Sequence, residues 1–440
     1  MRKKALFVIL VGVLILLTAS CSRDPDELPA PTQAPSQAPT QAPTQPPGAP
    51  DFIFERVSEF SDGYAAVYID DRGGYIDKTG EVVIPCAYSN AEPFTDGIAI
   101  VTMAGGGDEE NPFRYGLIDK NGEGITAIEY EWMNEFSEGL ILAQKESKCG
   151  FLDATGKTVV PFKYDSADDF SEGLAAVSLD GFFGYIDKTG KAVIPFTYEQ
   201  AFSFSEGLAA VFYEGRYGFI DASGKEAIPF EYDYAGSFSD GLAIAAKSEN
   251  SGGAKWGYID KAGKAVIPFE YMSAIDFVDG IGLVSKGDDS GYSYIDKTGK
   301  VIADHVDNTS MLGFSEGLAP LRVDGKWGFI DNTGETVIAN EYEWVSERGF
   351  SNGLAMVKSN NKWGFINKAG DVVIPFEYDT LFEFVDGFAV AVKDRRCGVI
   401  DETGNTIIPF GYDLIGFVGE GFAFAQNSGE GKWGVLELTR

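Results

Sequence analysis

Short apolar runs alternate with turn signals along almost the whole chain. In Leu174-Ala175-Ala176-Val177, Gly184-Tyr185-Ile186-Asp187 and Ala192-Val193-Ile194-Pro195, three such runs are divided by clusters of Gly, Asp, Lys and Thr. Runs this short, with β-branched and aromatic residues dominating the second and third, predict strands and not helices. Asp187-Lys188-Thr189-Gly190 lies between the second and third runs. An aspartate that accepts backbone hydrogen bonds and a glycine free to adopt positive φ there predict a tight hairpin. Pro195 removes a ladder donor and so marks the strand's end or an exposed edge. The following F-x-Y and about ten more residues, Phe196 to Gly207, are expected to connect one unit to the next, with Tyr198 and Phe204 packed between units.

This pattern recurs. The glycine of the F-[ST]-[DEN]-G step, or of its variants, stands at Gly63, Gly97, Gly139, Gly173, Gly207, Gly241, Gly280, Gly317, Gly353, Gly387 and Gly421, mostly 34 residues apart. A fixed period of that size is the signature of arrays whose units bury their apolar faces only by stacking on neighbours. The predicted fold is all-β: eleven three-stranded antiparallel units in an extended or superhelical solenoid. The alternative is closure into one or two β-propellers, a single ring of eleven exceeding the usual four to eight blades.

Length variation is concentrated between the anchor glycine and the aromatic-glycine step. The insertions are Thr102–Phe113, Lys247–Ala254, Ser285–Gly291 and Asn427–Gly431, all in the first hairpin loop of their units. Loops at equivalent positions line one edge, which makes that edge the expected recognition surface. Units seven and eight lose the V-I-P-F-x-Y pattern, with Val301-Ile302-Ala303-Asp304-His305 and Val337-Ile338-Ala339-Asn340-Glu341-Tyr342 in its place. A local irregularity, a bend or a contact between subdomains is expected there.

Upstream of the array the composition changes twice. Residues 1–20 begin Arg2-Lys3-Lys4 and continue as an apolar run, Ala5 to Leu17, that is short for a membrane span and fits an export signal. The run ends Leu17-Thr18-Ala19-Ser20-Cys21, which resembles the lipobox of bacterial lipoproteins, with Thr18 in place of the usual leucine. That resemblance implies cleavage before Cys21 and lipid on its sulfur. Residues 21–50 are proline-, glutamine- and threonine-rich, a solvated spacer of about 3 Å per residue if extended. Residues 51–440 are the array. Of the cysteines, Cys86, Cys149 and Cys397 remain, an odd number that argues against a disulfide framework. Cys149 and Cys397 occupy the same place in their units and are expected to be small buried substitutes for an aromatic. The formal charge is −32, which excludes nucleic acid and anionic membrane surfaces as partners of the array.

Lys255-Trp256-Gly257-Tyr258-Ile259-Asp260, Lys326-Trp327-Gly328-Phe329-Ile330-Asp331 and Lys362-Trp363-Gly364-Phe365-Ile366-Asn367 resemble the WG (KWG) repeat of bacterial proteins. The resemblance covers Phe52 to about Leu438, although Tyr115, Cys149, Phe183, Tyr217 and Tyr292 replace the tryptophan. It implies tandem β-structure and often a secreted or surface location, and it implies no activity.

Candidate chemistry is sparse. His305 is the single histidine, so a Ser-His-Asp triad has one place to form and a His-based metal site none. Gly313-Phe314-Ser315-Glu316-Gly317 fits the G-x-S-x-G spacing, but it is the repeat's own anchor and lacks the strand-to-helix setting of a nucleophile elbow. Carboxylates recur with the period, as in Asp187 and Asp221 or Glu172 and Glu206, which favours turn capping over an asymmetric glycosidase pair. Asp108-Glu109-Glu110 and Asp288-Asp289 offer hard oxygen ligands without EF-hand spacing. No catalytic residue, metal site or cofactor is therefore predicted. The expectation is a lipid-anchored extracellular or periplasmic-face protein that binds or scaffolds a protein or a cell-wall glycan. A carbohydrate-active enzyme is the alternative.

Overall fold

The computed structural model describes residues 53–106, 111–248, 253–287, 291–306, 313–427 and 431–439. The signal and spacer, Cys21, and the acidic loop segments Asp108-Glu109-Glu110 and Asp288-Asp289 lie outside the described residues. The described residues form eleven small antiparallel sheets and no helix.

Blade four shows the plan. Ser166–Ala167, Leu174–Leu179, Phe182–Asp187 and Ala192–Tyr198 pair in sequence order, the second and third strands in full register from Leu174↔Asp187 to Leu179↔Phe182. The unit is thus four-stranded. What the sequence suggested was a connector is the first strand of the next blade, missed because only two residues of it pair regularly before it bulges. Pro195 sits inside a fourth strand that continues to Tyr198; that strand is the outer edge, so the missing donor costs no ladder bond.

The glycine after the aromatic explains itself here. A Cβ on Gly184 would lie 2.6 Å from the Ile194 carbonyl oxygen, and one on Gly328 2.4 Å from that of Ile338, so any side chain would push the fourth strand away. Alanines of the second strand, such as Ala175, Ala176, Ala209 and Ala210, are fully buried and let adjacent sheets approach. Into that interface Tyr185 and Phe204 pack edge to face at 4.9 Å, within one cluster that joins blades four and five through Leu174, Ile194, Tyr198 and Ile220. The expectation for Tyr198 and Phe204 holds. Cys149 and Cys397 are buried free thiols in the tryptophan position, also as expected.

The array closes on itself, which overturns the predicted open solenoid. Blade eleven has three strands of its own, Leu414–Gly419, Phe422–Gln426 and Trp433–Glu437. Phe54 pairs with Trp433 on their outer side: Trp433 N–H donates to the Phe54 carbonyl at 2.7 Å, and the Ile53 and Phe54 amides donate to the Trp433 carbonyl. Phe60 of blade one, whose strands begin at Arg56–Ser61 and Tyr64–Ile69, stacks on Phe424 at 5.6 Å and meets Phe422 at 5.1 Å. Blades one and eleven also touch through their first strands. The result is an eleven-bladed β-propeller whose first strands face the axis and whose fourth strands form the rim. Phe54 stands nine residues before Gly63, as Tyr198 stands nine before Gly207, so one repeat is split between the two ends of the array.

The irregularity at units seven and eight is local and does not bend the ring. Blade eight keeps Leu318–Val323, Lys326–Asp331 and a full outer strand Thr336–Tyr342, where Asn340, in the phenylalanine's place, donates to the Leu321 carbonyl at 2.6 Å. Blade two is the one whose outer strand frays. Beside Phe113–Asp119 only the bridges Tyr115↔Tyr130 and Ile118↔Gly124 remain, and the Leu117 amide donates to the Thr126 hydroxyl.

Candidate binding surfaces

One face of the ring is occupied by structural bonding. Here the turn between first and second strands (F-S-E-G) meets the turn between third and fourth (D-K-T-G) of the following blade. The Ser205 hydroxyl donates to the Phe238 carbonyl of blade six at 2.7 Å, and Glu206 accepts the Gly241 amide at 3.1 Å while pairing with Lys261 at 3.2 Å. The same serine contact recurs from Ser61, Ser137, Ser171 and Ser239. The carboxylate contact recurs from Asp62, Glu138, Glu172 and Asp240, and from Glu420 across the closure to Gly63 and Lys78. Ser315 of the G-x-S-x-G sequence is one of this set, donating to the Phe350 carbonyl. Within each hairpin the aspartate caps its own turn. Asp187 accepts from the Thr189 hydroxyl and from the Thr189 and Lys191 amides, and the Thr189 bond leads the contacts that hold its carboxyl below the usual range.

The opposite face carries the loops between second and third strands. The described ends of all four sequence insertions lie here, between second and third strands of blades two, six, seven and eleven, which puts them on one edge as predicted. By blade order those of eleven and two flank blade one, and those of six and seven adjoin each other on the far side of the ring. Half-exposed apolar side chains also gather on this face, among them Met103, Phe113, Phe182, Tyr213, Met272 and Trp344.

The inner wall is the surface that sequence reasoning missed. First strands bulge two residues before the phenylalanine or one before it, with two residues opposing one. The ladder shifts between Val57 and Phe60, Met133 and Phe136, Ile275 and Val278, and Gly416 and Gly419. Tyr75, Tyr185 and Tyr258 donate their hydroxyls to the carbonyls of Glu92, Phe202 and Ile275 in the next blade, each at 2.7 Å, which fixes the bulge; burial pushes all three phenols well up. The bulges bring carboxylates to the wall in blades one to four, namely Glu59, Glu92, Glu135, Asp168 and Asp169, then Asp276, Glu347 and Glu383 in seven, nine and ten. Among the described residues the first strands carry two bases, Arg56 at the start of blade one's, where its guanidinium lies over the Tyr68 ring, and Arg348 in blade nine's. Enclosure raises the carboxyls of Glu92, Asp276 and Glu383, Glu92 also through the charge of Glu135; Ser346 and Arg348 oppose the rise at Glu383. These positions differ from unit to unit, so no period marked them. Their only signal was a carboxylate standing beside the repeated phenylalanine. His305 lies on the outer strand Val301–Val306, away from this wall.

The solved structures resembling the chain include the extracellular domain of a hybrid two-component system from B. thetaiotaomicron, at 11% identity and TM-score 0.21, covering 84% of this chain and 60% of that one. PorZ, a surface component of the Porphyromonas gingivalis type-IX secretion system, is 10% identical at TM-score 0.26, with 87% of this chain and 64% of that one covered. The chain thus spans under two thirds of either relative, and likenesses this weak carry no argument about function. No curated protein sequence matches it. The description "WG containing repeat", by contrast, matches eleven consecutive segments: residues 51–72, 74–106, 115–149, 150–181, 183–217, 217–250, 256–288, 292–327, 327–363, 363–397 and 398–433. Most segments start at a third strand and end after the second strand of the next blade, so each sequence repeat bridges two blades, and the chain belongs to the WG-containing-repeat family.

Proposed function

We propose that this chain is a lipid-anchored protein of the outer or periplasmic membrane face that holds a protein or cell-wall glycan partner on its ring and performs no catalysis. One observation carries the reading. The hydroxyls and carboxylates that recur with the repeat, including Ser315, are engaged in joining blades and capping hairpins, so the residues left to meet a partner are the variable ones on the loop face and the inner wall. A surface made of varied side chains on a uniform scaffold is what recognition uses.

Two experiments test it. Cys21→Ala should move the protein from the membrane fraction to the soluble export fraction; unchanged membrane association and mobility would remove the lipid anchor from the reading. A pull-down with residues 51–440 should recover a partner that is lost when the loops at Thr102–Phe113, Lys247–Ala254, Ser285–Gly291 and Asn427–Gly431 are cut to the common length. Turnover of a glycan by the purified ring, with no retained partner, would favour the enzyme alternative.

A further inference from the structure

Blades ten and eleven present something different from the rest of the wall. Phe382, just before the bulge of blade ten, is 51% exposed, and Phe417, within the bulge of blade eleven, is 39% exposed. Phe417 has φ of +55°, and every other non-glycine residue at positive φ is Asp, Glu, Asn, Ser or Arg. Left-handed backbone is strained for a bulky side chain and glycine would sit there freely, yet the Phe417 ring stands half exposed with one edge-to-face contact, to Trp433 at 6.0 Å. Val385 extends the apolar surface on blade ten. Glu383 borders it with a buried Oε1 that accepts no hydrogen bond, and the Cβ that Gly419 lacks would lie 3.7 Å from Glu59 of blade one.

We propose that Phe382, Val385 and Phe417, bordered by Glu383 and Glu59, form a docking surface for an extended protein segment that carries lysine or arginine between apolar side chains. The proposal rests on the binding reading above. Two exposed rings in the first strands of adjoining blades, Phe382 just before the bulge and Phe417 within it, offer area without hydrogen bonds, which suits side chains better than hydroxyl-rich sugars. The wall's charge selects the sign of the partner: carboxylates dominate it, and the chain as a whole stands at −32.

The test uses the exported chain from residue 22 onward and three synthetic peptides that alternate lysine with leucine, lysine with serine, and glutamate with leucine. The lysine–leucine peptide should bind, the other two should not, and Phe382→Ser or Phe417→Gly should weaken binding by about tenfold or more. Phe417→Gly relieves the strained backbone but gives up the Trp433 ring contact, so its melting temperature should stay close to the parent's, and binding by both variants is read well below their measured melting temperatures, where loss of binding is not unfolding. Equal binding of the lysine–serine peptide, unchanged binding by both variants, or displacement by calcium that ignores both variants would each overturn the proposal. A partner recovered by pull-down but indifferent to both variants would defeat this site while leaving the binding reading intact. With neither partner nor peptide bound, both fail.

Discussion

The junction between blades five and six and the junction between blades seven and eight are built from the same core with different fastenings. At the first, Ser205, Glu206, Gly241 and Lys261 complete the inter-blade clamp. At the second, Val278 stands where the serine belongs and Asn332 where the lysine belongs. The sheets still stack. Tyr294 meets Phe314 edge to face at 5.8 Å, inside a cluster of Ile281, Leu283, Ala319 and Ile330 that matches the cluster between blades four and five. Aromatic and aliphatic burial therefore holds neighbouring blades together, and the polar clamp adds a smaller increment at each junction. That division fits arrays whose stability is a sum of unit and nearest-neighbour contributions.

The largest effects should come from the core in either sector. Phe238→Ala, in the cluster between blades five and six, and Phe314→Ala, in the cluster between blades seven and eight, remove buried rings and should each cost about 3–5 kcal/mol in urea unfolding, as should Phe204→Ala and Trp327→Ala at the neighbouring junctions. A cost below about 1 kcal/mol at Phe238 or Phe314 would break the claim that burial dominates both sectors.

Exchanging the fastenings sharpens the comparison directly. Ser205→Ala leaves the Phe238 carbonyl without its donor and should cost about 1 kcal/mol. The reverse change, Val278→Ser with Asn332→Lys, should stabilise the seven–eight junction by about the same amount, because Val278 is exposed and little burial is lost. Differential scanning calorimetry of the two variants against the parent reads both signs.

Hairpins, unlike clamps, are the same in the two sectors, so their acid response should be too. The Ser223 hydroxyl holds Asp221, and the Thr333 hydroxyl holds Asp331, below the ordinary carboxylate range. A carboxyl lowered in the folded state contributes stability above its unfolded value of about 3.9, and that contribution is lost as pH falls through the folded value. Asp221→Asn and Asp331→Asn should keep the turn, as Asn367 does naturally in blade nine, and should flatten the acid limb of stability equally. The inner-wall carboxyls of Glu92, Asp276 and Glu383 act in the opposite sense. Being raised, they oppose folding when ionised and cease to do so as pH falls through their folded values. Smallest of all should be Lys261→Ala. That ion pair is nearly half exposed on the lysine side, and its loss should stay below about 1 kcal/mol and fade in salt.

Much of this was legible in the residues. Strand positions, the Asp187 hairpin, the inter-blade packing of Tyr198 and Phe204, and the shared location of the four insertions follow from local rules that each repeat states again. Ring closure was not, because it depends on a partner almost four hundred residues away. Phe52-Ile53-Phe54 is the F-x-Y half of a repeat whose W-G half is Trp433-Gly434, and neither end announces the other. The first strand was hidden for a different reason: its bulge interrupts alternation, so Glu199 to Ser205 looks like a loop. The same bulge concealed the inner wall, where the side chains vary because they do not join blades.

Closure is the claim on which the inner wall and both faces depend, and three ion pairs of identical length test it. Lys188–Glu138 and Lys261–Glu206 join consecutive blades at 3.2 Å, and Lys78–Glu420 joins the first blade to the last at 3.2 Å. Zero-length carbodiimide crosslinking of the monomer, followed by mass spectrometry, should recover all three links with similar yield. Recovery of the first two without Lys78–Glu420, or of Lys78–Glu420 only in crosslinked dimers, would contradict a closed eleven-bladed ring.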